Sequence, residues 1–267
     1  MSSGSAEGVD GRRPARRQTE IAAYVVEHGT ATAHELVEAF GVSLMTVHRD
    51  LDELERQGVV RKYRGGVSAQ PNSVFESNVA YRLTSAQGQK KALARRAREL
   101  VEPGMSVMLD DSTSALAVAR LLEDVTPLTV ATNFLPAITL LTTMPDVRLI
   151  ALGGIYSPTH DSFGGVPCAE AVAALHTDLL FCSVSALSST HACHQEQEIV
   201  LVKRAMLAAA RTRVLLVDAA KLGRTALHRL APLADFDLVL TDDQASADQV
   251  SALREHGATV EVVAIEA

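Results

Sequence analysis

GVSLMTVHRDLDELERQG, residues 41–58, decides how this chain is read. Its apolar residues Val47, Leu51 and Leu54 recur at helical spacing, Ser43 stands just ahead of them as an N-cap, and Gly58 supplies a C-terminal stop. The pattern predicts a helix over Leu44–Gln57. Upstream, Thr32-Ala33-His34-Glu35 is a capping box, in which the Thr32 hydroxyl accepts from the Glu35 amide and the Glu35 carboxylate reaches back to Thr32. It opens a shorter helix with Leu36 and Phe40 on one face, stopped at Gly41. Two short helices joined at Gly41-Val42 make a helix-turn-helix. Residues 59–66, VVRKYRGG, then alternate apolar with basic and close on two glycines, which reads as a wing hairpin.

With Val47, Leu51 and Leu54 turned to the core, the N-terminal end of the second helix is free to enter a major groove. Ser43, Leu44, Met45, Thr46, His48 and Arg49 are therefore candidate DNA contacts. Arg49 can bond guanine bidentately, and Thr46 and His48 can reach phosphate or a base edge. On the wing, Arg61, Lys62 and Arg64 are placed toward backbone phosphates or a minor groove. An ordinary helical hairpin with solvated charges would account for Arg49 alone as well. It does not account for the capping box, the glycine turn, the serine cap and the basic wing together.

The bulk numbers are consistent with this but do not carry it. Of 267 residues, 47% are hydrophobic and only 4% aromatic, so the core is built from Ala, Val and Leu. The net charge of −7 argues at first against a nucleic-acid partner. Distribution matters more than the sum: Gly11–Val67 is close to balance, and most of the negative charge follows it. Cys168, Cys182 and Cys193 form no CxxC pair, which fits a reducing cytoplasm rather than a disulfide framework or zinc site. The arginine pairs Arg12–Arg13 and Arg16–Arg17 precede no apolar segment, so an export signal is rejected. The most apolar stretch, Leu128–Met144, is broken by Thr132, Asn133 and Pro136, too short a run to span a membrane.

Four parts are expected: a disordered tail over 1–12, a winged helix-turn-helix domain over 13–68, a linker over 69–78 and an α/β domain over 79–267. In the last, continuous apolar strands alternate with helices, the signature of a mostly parallel sheet covered on both faces. Strands are expected at 106–109, 128–131, 147–152, 179–184, 214–217, 238–240 and 260–264. Helices are expected at 85–101, 114–122, 135–143, 198–210 and 247–256.

Polar residues cluster where these strands end. Asp110, Ser112, Thr113 and Ser114 follow the first, Thr132 and Asn133 the second, Gly153 and Gly154 the third, and Lys221 a later one. Ligands of open parallel sheets bind beyond the carboxyl ends of strands, and a Ser/Thr turn into a helix offers amides to a phosphate. These residues are the candidate effector site, with Lys221 as its cation. Each alone also reads as a cap, a tight turn or a solvated charge. His191, Cys193 and His194 lie close in sequence but lack a fourth ligand at defined spacing, so no metal and no cofactor is expected.

Residues 41–58 with Arg64-Gly65-Gly66 resemble the DNA-binding signature of the DeoR family. One departure is His48, where the family commonly has Arg, which gives the groove contact a titratable group. Thr132-Asn133, Gly153 to Tyr156, Ser162 to Gly164, Lys203 to Met206 and Asp218 to Gly223 are similar to the family's sensor domain, itself similar to ribose-5-phosphate isomerase. The resemblance implies a homodimer or higher homo-oligomer on double-stranded operator DNA. It implies repression of a sugar-metabolism operon, relieved by a phosphorylated sugar or related metabolite. Ser112 stands where the family usually has Gly, and Ser183, Ala186 and His191 also stand at glycine positions, so the pocket closes differently or narrows. A sugar-phosphate isomerase using Asp110 and Lys221 as acid and base is the alternative from another class. A transcriptional activator is the third reading.

Overall fold

The computed structural model describes residues 17–56 (except 19, 23, 26 and 27), 59–69 and 79–266. The expected tail, Gln57 and Gly58, and all of the expected linker except Ala69 fall outside these. The chain divides into two compact units, one ending at Ser85 and the other beginning at Ala86.

In the first unit the described residues between 17 and 28 are helical. They are followed by β1 (Thr30–Ala31), α1 (Ala33–Phe40), α2 (Leu44–Arg56), β2 (Val60–Tyr63), β3 (Gly66–Ala69) and α3 (Val79–Thr84). The capping box at Thr32–Glu35 forms on both sides, and Gly41 ends α1 in the left-handed conformation (φ 62°) that glycine adopts without cost. Apolar side chains from every part meet in one core of Ile21, Val25, Leu36, Val47, Leu51, Leu54, Val60 and Val67, with Tyr81 of α3 packed against it. Strand β1, too short to leave a sequence signal, pairs with β3, so the wing is the outer part of a three-stranded antiparallel sheet.

In the second unit the helix expected from Ser85 begins instead at Gln87, because Ala86 takes a left-handed conformation (φ 49°). The order is α4 (Gln87–Arg98), β4 (Ser106–Leu109), α5 (Thr113–Ala119), β5 (Leu128–Thr132), α6 (Leu135–Leu141), β6 (Val147–Ala151), β7 (Ile155–Ser157), β8 (Ser162–Gly164) and α7 (Gly165–Ala173). Then come β9 (Thr177–Cys182), β10 (Ala186–Leu187), β11 (His191–His194), α8 (Gln197–Ala209), β12 (Ala210–Leu216), β13 (His228–Pro232), β14 (Leu238–Asp242), α9 (Ala247–Glu255) and β15 (Val260–Val263).

Seven strands form a parallel sheet in the order β15-β14-β12-β9-β4-β5-β6. Successive residues of each strand face opposite sides, and the packing records it. Val107, Leu109, Leu179, Phe181, Val214 and Leu216 join the core under α4 and α5. Met108, Leu180, Cys182 and Leu215 join the core under α7 and α8. Both faces are thus covered, as the unbroken apolar strands require. The chain leaves β4 toward β5 and β6, then returns to add β9 on the other side. The reversal puts a topological switch point between the carboxyl ends of β4 and β9.

Candidate functional site

On the first unit, Ser43 caps α2: its Oγ accepts from the Thr46 amide at 3.2 Å and lies 2.9 Å from the Thr46 hydroxyl. These two hydroxyls are occupied with each other. Leu44, Met45, His48 and Arg49 are exposed on the N-terminal turns of the helix. The charges sort into two groups. Arg17 and Gln18 bond the buried Asp50 (Arg17 Nε–Oδ2 2.6 Å), and Arg56 pairs with Glu53 at 3.0 Å. Arg49, Arg61 and Arg64 have no carboxylate partner among the described residues, and all three lie on α2 or the wing. Lys62 departs from expectation. Strand alternation puts it on the opposite side from Arg61, where its ammonium pairs with Asp52 and its amide donates to Glu55 at 2.8 Å. It fastens the wing to the recognition helix.

On the second unit, the switch point holds a buried polar network. Asp110 follows β4 and accepts from the Ser112 amide at 2.9 Å and the Ser183 amide at 2.7 Å. The Lys203 ammonium, delivered by α8, pairs with Asp110 and also lies 3.1 Å from Asp111. Ser162 donates to Asp111 at 3.2 Å. Burial works against the charge of Lys203, but the two carboxylates outweigh it and hold the amine protonated above its ordinary range. Beside them His160 lies 2.8 Å from Glu196, and His194 Nδ1 accepts from the Glu196 amide. Burial, then Lys203, push His194 down to about 3, so it is neutral at pH 7. Asn133 donates to the Phe163 carbonyl at 2.6 Å, which leaves its buried Oδ1 without a partner; the Ser183 hydroxyl is likewise buried and unpartnered. Asp111, Asn133, Ile199, Val202, Lys203 and Met206 line a tight crevice with no room for a water molecule.

A family model for the DeoR C-terminal sensor domain matches residues 85–243, and one for the DeoR-like helix-turn-helix domain matches residues 17–72. The chain belongs to the DeoR family. It is 35% identical over 86% of its length, and 90% of the relative's, to the uncharacterized HTH-type transcriptional regulator YgbI of Escherichia coli K12. It is 27% identical over 92% of its length, and 98% of the relative's, to the glycerol-3-phosphate regulon repressor of the same strain. Among solved structures, ribose 5-phosphate isomerase A of Methanocaldococcus jannaschii aligns at a TM-score of 0.36 and 18% identity, over 52% of this chain and 53% of that one. That likeness is too slight to carry an argument.

Within this DeoR-family sensor domain, the structure redistributes the residues expected at the strand ends. Asp110 and Asn133 belong to the crevice network. Lys221 does not: it pairs with Asp218 at 3.3 Å, at the end of a strand two places from β4. The cation at the aspartates is Lys203, 93 residues from Asp110 in sequence. The proposed isomerase pair of Asp110 and Lys221 is therefore not assembled. Ser112 turns its hydroxyl onto the Ala115 amide at 3.0 Å, so it caps α5. Thr113 and Ser114 are buried in that helix's first turn, and the Thr132 hydroxyl accepts from the Phe134 amide at 3.2 Å. Gly153 is exposed beyond β6, at the edge of the sheet. A Cβ on Gly154 would collide with the Gly164 carbonyl oxygen, so glycine there serves close packing of β7 against β8 and α7. Sequence reading missed Lys203 and His160 as members of this network. The available signals were the Lys203-Arg204 pair within a largely apolar helix and the resemblance of Lys203 to Met206 to the family's sensor domain.

Proposed function

We propose that this chain is an operator-binding transcriptional repressor that reads DNA with Met45, His48 and Arg49 and holds the duplex backbone with Arg61 and Arg64. The observation that carries this is the sorting of charge in the first unit. Arg17 and Arg56 are neutralised internally, while three arginines on the recognition helix and wing await an external polyanion. An unpaired surface guanidinium suits guanine O6/N7 or phosphate. The repressor names of relatives such as the glycerol-3-phosphate regulon protein support the sign of regulation.

The effector in this reading is a small sugar-type metabolite, phosphorylated as the family resemblance suggests, bound where Asn133, Asp111 and Lys203 converge. Ligand pockets usually measure about 300–1,000 Å³. A crevice too tight for a water molecule has to open on binding, which shifts the equilibrium between two arrangements of α8. In a homo-oligomer on a palindromic operator, that shift alters the spacing of two recognition helices.

The test is gel-shift binding of the full chain to the DNA upstream of its own gene, with and without a panel of pentose, tetrose and triose phosphates. Retardation released by one compound is the expected result. Turnover of any compound, or no retardation, contradicts the repressor reading.

A further inference from the structure

In the first unit, large apolar side chains are exposed at three described positions, Leu44, Met45 and Tyr63. All three lie on the recognition helix or the wing. Met45 is the extreme case at 75% exposed, against 39% for Leu44. Scattered exposed apolar side chains are ordinary, but among the described residues of this unit they are confined to the two elements that meet the duplex in the reading above.

Helical geometry says which way Met45 faces. Taking 100° per residue, Met45 and Arg49 share one ridge of α2, opposite the stripe formed by Val47, Leu51 and Leu54. Arg49 is one of the three unpaired cations. The only apolar feature a major groove presents is the C5-methyl group of thymine. Four residues of helix advance about 6 Å, which covers about two base steps at about 3.4 Å each.

We infer that Met45 reads a thymine methyl in each operator half-site, within about two base pairs of the guanine that Arg49 contacts. Leu44 flanks the same methyl from the core side of the helix. The proposal rests on the DNA-binding reading above and adds the chemistry of one base position to it. Methionine suits the task because its unbranched thioether adapts to an irregular apolar surface.

The experiment begins by selecting the preferred duplex from a random pool with the full-length chain. Each thymine of the selected duplex is then replaced singly by deoxyuridine, which removes only the methyl group. The expected result is one thymine per half-site whose replacement weakens binding about fourfold, the worth of one methyl left in water. Met45→Ala, a surface change that leaves α2 intact, should bind the thymine and uracil duplexes equally. Affinity unchanged at every uracil substitution overturns the inference. So does a Met45→Ala protein that keeps the preference for thymine, or one whose only change is oligomeric state. Selection that enriches no sequence falls instead on the DNA-binding reading itself.

Discussion

The two units of this protein handle positive charge in opposite ways. On the first, Arg49, Arg61 and Arg64 stand at the surface without carboxylate partners among the described residues. In the second, Lys203 is 4% exposed and shared between Asp110 and Asp111. An exposed guanidinium is fully solvated and costs the fold nothing while it waits for a ligand. A buried ammonium is tolerable only when its partners are already in place. The first arrangement leaves recognition to an external polyanion. The second makes the candidate sensor site part of the structural core, so that any ligand must compete with contacts the protein already makes.

This contrast predicts unequal costs of deletion. Lys203→Met leaves two carboxylates buried without a counter-ion, and the second unit should lose about 3–5 kcal/mol in urea denaturation. The double change Arg61→Ala/Arg64→Ala, measured the same way, should stay within about 0.5 kcal/mol of the parent. Equal losses would erase the distinction drawn between the two units.

A smaller effect is expected from pH in the second unit. His194 is neutral when folded because its pKa is depressed to about 3, whereas the unfolded side chain titrates near its ordinary 6.5. The unfolded state therefore takes up a proton first, and stability present above pH 6.5 is lost as pH falls toward 3. Between pH 7 and pH 5 the loss from this group is about 2 kcal/mol. Urea midpoints at the two pH values measure it, and His194→Gln should flatten the difference. A midpoint that is the same at both pH values in the parent protein would contradict the buried, neutral histidine.

The first unit was largely legible in the sequence because its signals are local. Thr32 and Glu35 cap one helix three residues apart, Gly41 needs a positive φ, and Val47, Leu51 and Leu54 mark a stripe by spacing alone. What escaped depends on partners far along the chain. Asp50 looks like a solvated helix residue until Arg17, 33 residues earlier, is found against it. The parallel strands were equally plain, since the central ones are buried on both faces along apolar runs such as Val107–Leu109, Leu179–Cys182 and Val214–Leu216. The hairpin β7–β8 and the small sheet of β10, β11 and β13 were not, because short strands with half-exposed or polar residues show no period. The lysine that meets Asp110 was hidden for the same reason. Lys221 sits beside its own strand end and Lys203 inside a distant helix, and only the sheet order decides which of them meets Asp110.

The salt dependence of operator affinity tests most directly whether α2 and the wing lie against the duplex. Affinity of the full chain should be measured from low to moderate salt for the parent, for Arg49→Ala and for Arg61→Ala/Arg64→Ala. Each lost phosphate contact flattens the log–log slope by about 0.9. The wing variant should therefore bind all sequences more weakly with a slope shallower by about 2, while Arg49→Ala loses preference for the operator over unrelated DNA. Parental affinity, slope and preference in both variants, with folding unchanged, would contradict the placement of α2 and the wing against the duplex.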